Sequence, residues 1–181
     1  MSADRPAILV VGGSLGAKSI NEAIDKSLDE IVALGVQLIW QTGKPYFHTA
    51  LQRAAGMEGV HVTEFIPDMG KAYAAADLVI SRAGALAISE LCIVAKPVIF
   101  VPYPHAAEDH QTSNAKALVD RNAAMMVRDA DAGNDLFKKI KALLGDAAMQ
   151  ELMQRNLKAM AIMDADVRIA KRIIEIAGNR R

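Results

Sequence analysis

The sequence predicts an α/β protein, a Rossmann-like doubly wound parallel sheet of about six strands with a helical C-terminal tail. Apolar runs of four to six residues recur along the chain, and each is followed by a stretch whose apolar residues have helical spacing. The runs are apolar at successive positions instead of alternating with polar residues. Both faces of each strand must therefore be covered, as in a parallel sheet with helices on either side.

The elements follow in order. AILVV at 7–11 leads into an amphipathic stretch from about Lys18 to Leu34. VQLIWQ at 36–41 precedes a helix begun near Pro45, since a first helical turn tolerates the missing N–H of proline. VHVTEF at 60–65 precedes a short helix around Met69 to Ala75, and DLVIS at 77–81 runs into SRAGALAISE at 81–90, a glycine turn and then helix. PVIFVP at 97–102 leads to a polar loop and a helix near His110 to Arg121, and AAMMV at 123–127 is a weaker sixth strand. From about Gly133 to Gly178 the chain reads as helix only, broken near Gly145-Asp146 and near Asp164. Its last segment carries Val167, Ile169, Ala170, Ile173, Ile174 and Ala177 as a broad apolar stripe on a cationic helix. That stripe packs either on the chain's own sheet or on a surface outside this chain. Residues 1–178 are expected to form one domain, with 133–178 as its helical tail.

Composition limits the partners. Lys plus Arg, 21, equals Asp plus Glu, 21, so the formal net charge is zero and there is no electrostatic case for nucleic acid. No apolar run reaches the roughly 18 residues of a membrane span. The start, MSADRPAILVV, lacks the basic segment ahead of an apolar core that marks a secretion signal. The one cysteine, Cys92, excludes an intrachain disulfide framework and fits a reducing, cytoplasmic setting. Within ELCIVA it reads as a small buried hydrophobe.

Ligands of open parallel sheets bind beyond the carboxyl ends of the strands, which singles out three loops. After the first strand comes GGSLGA, residues 12–17. Its glycines permit close backbone approach, and the helix start behind them offers free N–H groups and a positive dipole end. The spacing is neither the dinucleotide fingerprint nor a P-loop, so a purely structural turn and a phosphate site both remain open. After the fourth strand, Gly84 and Ala85 place N–H groups at a second helix start. Glu90, farther along, either accepts hydrogen bonds from vicinal ribose hydroxyls or complements the helix dipole. After the fifth strand, VPYPHAAEDHQTSNA crowds His105, Glu108, Asp109, His110 and Gln111 together. The histidines lack the i, i+4 spacing of a helical two-histidine metal site, so no metal is expected and hydrogen bonding to a polyhydroxylated ligand is preferred. Asp109 is a candidate cap for the helix that follows. His48 and His61 stand alone and read as surface or satisfied histidines, and the nine methionines as core residues needing no cofactor. Two anion-ready helix starts, a carboxylate and a polar loop on one sheet edge point to a nucleotide diphosphate bearing a polar group. A nucleotide-sugar fits better than a dinucleotide.

LVVGGSLGAKSINEAI, QTGK, VTEFIPDMGKAYAAADLVISRAGALAISEL, KPVIFVPYP and EDHQTSNA, in this order and spacing, resemble the C-terminal half of the MurG family. These are the peptidoglycan N-acetylglucosaminyltransferases that convert lipid I to lipid II. The resemblance runs from about Ala7 to Ala177. More distantly, the sequence is similar to other two-domain glycosyltransferases. The resemblance implies a GT-B architecture of two Rossmann-like domains, the C-terminal one binding UDP-GlcNAc. It implies that Gly13 and Ser14 lie near the donor diphosphate and that the Ile66 backbone meets uracil. It further implies that Gly84, Ala85, Leu86, Ala87, Ile88, Ser89 and Glu90 line the nucleotide, with Glu90 on the ribose, and that Gln111, beside His110, holds the GlcNAc hydroxyls. Ala87 stands where many members have threonine, and His110 where some have glutamine.

In that family the N-terminal domain carries the lipid I site, most of the membrane-binding surface and the proposed catalytic base, and the last helix crosses back to it. The resemblance therefore implies no catalytic residue in this half, no turnover by this chain alone, and a parent enzyme peripheral on the cytoplasmic face of the membrane. A different class of function is a non-catalytic nucleotide-sugar-binding subunit with a separate acceptor-binding partner. A third is a nucleotide-sugar epimerase or hydrolase, for which His105, Asp109 and His110 are the available acid–base groups.

Overall fold

The computed structural model describes residues 2 and 4–178. Six strands, β1 (Ala7–Val11), β2 (Gln37–Gln41), β3 (Val60–Thr63), β4 (Leu78–Ser81), β5 (Val98–Phe100) and β6 (Met125–Met126), form one sheet in the order β3-β2-β1-β4-β5-β6. Every pairing is parallel. The central strand β1 is buried along its whole length, as its unbroken apolar run requires.

Successive β1 side chains face opposite sides of the sheet and seed two cores. Ile8 and Val10 pack with Ile20, Ile24 and Trp40, joined by Leu136 and Ile140. Leu9 and Val11 pack with Tyr73, Leu91 and Phe100, joined by Ala115 and Leu118. The first core is covered by α1 (Lys18–Lys26), α2 (Leu28–Ala33), α3 (Lys44–Arg53) and α7 (Ala132–Leu144). The second is covered by α4 (Met69–Ala75), α5 (Ala85–Val94) and α6 (His110–Val119). α8 (Ala147–Met160) reaches both, through Met153 and Leu157. Each fully buried large apolar side chain contributes about 1.5–3 kcal/mol. The polar groups inside are paired: Trp40 Nε1 donates to Asn21 Oδ1 at 3.0 Å, and Asn21 Nδ2 donates to the Thr42 carbonyl at 2.8 Å.

The stretch expected as one amphipathic unit from Lys18 to Leu34 is two helices, parted at Ser27. The Ser27 N–H bonds to the Ile24 carbonyl, a tighter turn than the α-helix, and Leu28 and Ile31 beyond it are buried. Asp109 does not cap α6 with its side chain. It sits in the left-handed region (φ 52°) and its Oδ1 accepts from the Thr112 hydroxyl at 2.6 Å. His48 and His61 are exposed, and Cys92 is buried.

The stripe of the tail is not packed on the sheet. No residue of α9 (Ala165–Gly178) is buried, and Ile174 keeps 70% of its surface in solvent. Packing on the chain's own sheet is therefore excluded here, because both faces of that sheet are already occupied by α1–α8.

At the carboxyl edge the loops after β1 and β2 meet backbone to backbone. Gly16 (φ 76°) and Gly43 (φ 72°) both sit in the left-handed region, and a Cβ on either would overlap the facing carbonyl, Thr42 or Leu15. Gly16→Ala is expected to lower stability by about 1–3 kcal/mol, read as a drop in the urea midpoint; an unchanged midpoint would contradict this contact.

Burial raises the Cys92 thiol above its ordinary value of 9.0. Burial, then a hydrogen bond to Asp25, raises Tyr46. Burial, then a hydrogen bond to Glu90, raises Tyr73. The unfolded chain loses these protons first, so it binds fewer protons than the folded one above about pH 9 and stability falls there as pH rises. Urea midpoints measured from pH 8 to 11 should decline across that range, and a rising midpoint would refute this assignment.

Candidate functional site

The strand order reverses between β1 and β4, and from these neighbours α1 leaves over one face of the sheet and α5 over the other. A crevice opens at such a switch point. Here it is a cleft of about 1080 Å³ at the carboxyl edge.

The GGSLGA loop forms one wall. Gly16 N–H bonds to the Gly13 carbonyl at 2.9 Å, closing a tight turn. Gly13 takes φ 84° with open space where a side chain would stand, so this stretch of backbone lies bare. Buried Gln41 holds the loop from below: its Oε1 accepts from Gly12 N–H at 3.2 Å, and its Nε2 donates to the Gly13 carbonyl at 3.0 Å and the Glu64 carbonyl at 3.1 Å. Behind the loop, the first backbone bond into α1 runs from Asn21 N–H to the Ala17 carbonyl. The N–H groups of Lys18, Ser19 and Ile20 therefore have no helical partner. No side chain caps them among the described residues, and no acidic residue occupies that first turn.

α5 repeats the arrangement. Ile88 N–H bonds to the Gly84 carbonyl, which leaves Ala85, Leu86 and Ala87 N–H groups unpaired at a second uncapped start. Glu90 is half-buried and lies beyond the first turn, so the dipole-complement reading does not describe it. Its Oε2 accepts from the Tyr73 hydroxyl at 3.0 Å. From the third loop, Gln111 Oε1 accepts from Ala83 N–H at 3.2 Å and Tyr103 N–H at 3.0 Å. Its carbonyl is thus committed to the loop, and the amide nitrogen is the end left for a ligand.

Of the residues singled out in the sequence, Gly13, Ser14, Ile66, Gly84, Leu86, Ala87, Glu90 and Gln111 line the cleft. The side chains of Ala85, Ile88, Ser89 and His110 do not. Ser89 Oγ donates to the Ala85 carbonyl at 3.0 Å, and His110 Nδ1 lies 2.7 Å from the Ala107 carbonyl on the exposed start of α6. Among the described residues no group of three His, Cys, Asp or Glu is arranged to hold a metal ion.

Sequence reasoning missed Arg82, the floor of the cleft. Its Nη1 donates to the Val101 carbonyl at 2.9 Å, to the Pro102 carbonyl at 3.1 Å and to Asp129; its Nη2 donates to Ser19 Oγ at 3.1 Å. Ser19 in turn donates to Asp129. The guanidinium also lies 5.5 Å from the Tyr103 ring centroid. Nothing in the spacing pairs residues 82 and 129, which are joined only when β4, β5 and β6 lie side by side.

An open parallel sheet with two bare helix starts, a carboxylate and an amide around one switch-point cleft defines a Rossmann-like domain of ligand-binding type. The chain belongs to the family described as glycosyltransferase family 28 C-terminal domain, whose family model matches residues 7–169. It is 46% identical over 176 residues to a Cytophaga hutchinsonii protein named UDP-N-acetylglucosamine–N-acetylmuramyl-(pentapeptide) pyrophosphoryl-undecaprenol N-acetylglucosamine transferase. That match covers 97% of this chain and 47% of the relative. The crystal structure of MurG from Acinetobacter baumannii superposes with a TM-score of 0.83 at 33% identity, over 96% of this chain and 51% of that one. A putative UDP-N-acetylglucosamine 2-epimerase from Listeria monocytogenes shares the fold, with a TM-score of 0.69 at 14% identity, over 99% of this chain and 47% of that one. The chain thus spans about half the length of the relatives it matches.

The Arg82 side chain is 13% exposed and that of Asp129 20%. Arg82→Ala leaves the part-buried Asp129 carboxylate with the Ser19 hydroxyl as its remaining side-chain donor and is expected to lower stability by about 1–3 kcal/mol, read from denaturant titration; a loss below about 0.5 kcal/mol would mean that the pair is solvent-screened.

Proposed function

We propose that this chain is the UDP-GlcNAc-binding half of an inverting glycosyltransferase that moves GlcNAc to the C4 hydroxyl of the MurNAc moiety of lipid I. The observation that carries the reading is the convergence of two uncapped helix starts, Glu90 and Gln111 on one cleft. Backbone N–H groups at the starts of α1 and α5 suit a diphosphate, whose negative charge grows as UDP departs. They are rigid, aimed before the reaction, and need no reorganisation when the charge appears. Gly13 and Ser14 would approach the phosphates, Ile66 the uracil, Glu90 the ribose hydroxyls and the Gln111 amide the GlcNAc hydroxyls.

Inversion needs an acceptor, a base and a second wall for the cleft. All three are assigned to an N-terminal acceptor domain outside this chain, and residues 1–178 are read as the single donor domain. The bare face of α9, with Ile169, Ile173 and Ile174 exposed, is read as its docking stripe. Among the described residues no helix is long and apolar enough to cross a membrane. The parent enzyme is accordingly read as peripheral on the cytoplasmic face, reaching lipid I through the other domain.

Epimerase or hydrolase chemistry is less well supported. Asp109 is bonded to Thr112 and His110 faces the Ala107 carbonyl, which leaves His105 as the one member of that acid–base set on the cleft.

Calorimetric titration with UDP-GlcNAc, against UDP-GalNAc and ADP-glucose, tests the reading. Heat with the uridine nucleotides and none with ADP-glucose is expected. Glu90→Ala should weaken UDP binding by about tenfold to a hundredfold, the worth of hydrogen bonds to a charged group. No heat with any uridine nucleotide would count against the proposal.

A further inference from the structure

Glu90 bears the ribose contact in the reading above, yet a glutamate has rotamer freedom to lose and α5 offers it no partner of its own. Its partner comes from another helix. Tyr73 on α4 is buried in the second core beside Leu91, only 4% exposed, and its hydroxyl meets Glu90 Oε2 at 3.0 Å. Ile66, Met69 and Tyr73, spaced by three and four residues, all border the cleft from one side. The first turn of α4 is pinned where Lys71 N–H bonds to Asp68 Oδ1 at 3.1 Å.

We propose that Tyr73 is a positioning residue for ribose recognition: its hydroxyl, held by a core-packed ring, locks the Glu90 carboxylate in the orientation that receives two vicinal hydroxyls. This rests on the donor-binding role proposed for the cleft.

The stoichiometry of lone pairs allows it. A carboxylate offers about four acceptor positions. Tyr73 takes one on Oε2, and among the described residues nothing donates to Oε1. Three remain for a ligand that has two hydroxyl donors. The donor is also dependable, because burial and the hydrogen bond to Glu90 hold the phenol above its ordinary 10.0 and so protonated at any working pH. A tyrosine ring has two side-chain torsions, both fixed here by packing, so little freedom remains to be lost when the ligand arrives. The alternative role is a plain structural link between α4 and α5, and it makes a different prediction. A structural link would affect every ligand of the cleft alike, whereas a positioning role singles out ligands with an intact ribose.

The test titrates the 181-residue chain and its Tyr73→Phe and Glu90→Gln variants with UDP and with 2′-deoxyuridine diphosphate. Tyr73→Phe keeps the ring in the core and removes only the hydroxyl. It should weaken UDP about three- to tenfold while leaving the deoxy analogue nearly unaffected, so that the preference for ribose shrinks toward that of Glu90→Gln. In the double variant the two losses should not add, since both act through one carboxylate. Equal weakening of both nucleotides, or an unchanged preference, would overturn the proposal. Should the Phe variant melt before titration, Tyr73→Met fills the same space without a hydroxyl and repeats the measurement. If the unsubstituted chain binds UDP without preferring ribose, this inference fails while the donor-site reading stands. If it binds no uridine nucleotide, the donor-site reading fails first.

Discussion

A single guanidinium ties the working edge of this domain together. Arg82 follows β4, grips the carbonyls of Val101 and Pro102 just beyond β5, pairs with Asp129 after β6, and reaches Ser19 in the first turn of α1. Parallel strands end at the same edge but have no covalent link there, because each crossover returns the chain to the far end. Arg82 adds to the Gly16–Gly43 contact and the Gln41 and Gln111 bonds the link that joins the loops after β4, β5 and β6 to the start of α1. The planar fork of arginine suits the task, since its donors point in fixed directions toward several acceptors at once. Asp129 pairs the part-buried guanidinium, and the Ser19 hydroxyl bonds to both partners.

The diphosphate-binding role proposed for the cleft does not depend on net charge, which is zero in this chain. The donors left without helical partners there are the backbone N–H groups at the starts of α1 and α5. Arg82 is neutralised by Asp129, and Lys18 lies 3.7 Å from Glu22. Backbone donors lose no side-chain entropy on binding, but they must be held bare of caps and of water-filling side chains. Ala17 and Gly84 stand at the cap positions and offer no side-chain cap, and the glycines at 16 and 43 let two loops touch through their backbones. The apolar face of α9 stays exposed, uncovered by the sheet of this domain.

Much of this was legible in the residues. The unbroken apolar runs placed five strands within a residue or two, and period and punctuation placed α4 at its observed bounds. β6, expected over 123–127, is paired over two residues only. Gly13 and Gly84 could be placed at the sheet edge because glycine turns and helix starts have local signatures, whereas the roles expected of Ser14, Glu90 and Gln111 came from the family resemblance. The break at Ser27 was not legible, since the apolar spacing of Ile20, Ile24, Leu28 and Ile31 continues through it unbroken. Gln41 and Tyr73 read as ordinary members of a strand and a helix. Only contacts across 28 and 17 residues, to Gly13 and Glu90, reveal them as supports.

The order of strands and helices, the doubly covered sheet and the three loops at its carboxyl edge were determined by the sequence alone, because periodicity and turn chemistry act over a few neighbouring residues. The brace from Arg82 to Asp129, the bonding of Glu90 to Tyr73, the turning of Gln111's carbonyl inward and the exposure of α9 were decided only by the tertiary structure. Each depends on which segments the switch in strand order brings together, and a local pattern carries no information about partners many residues away.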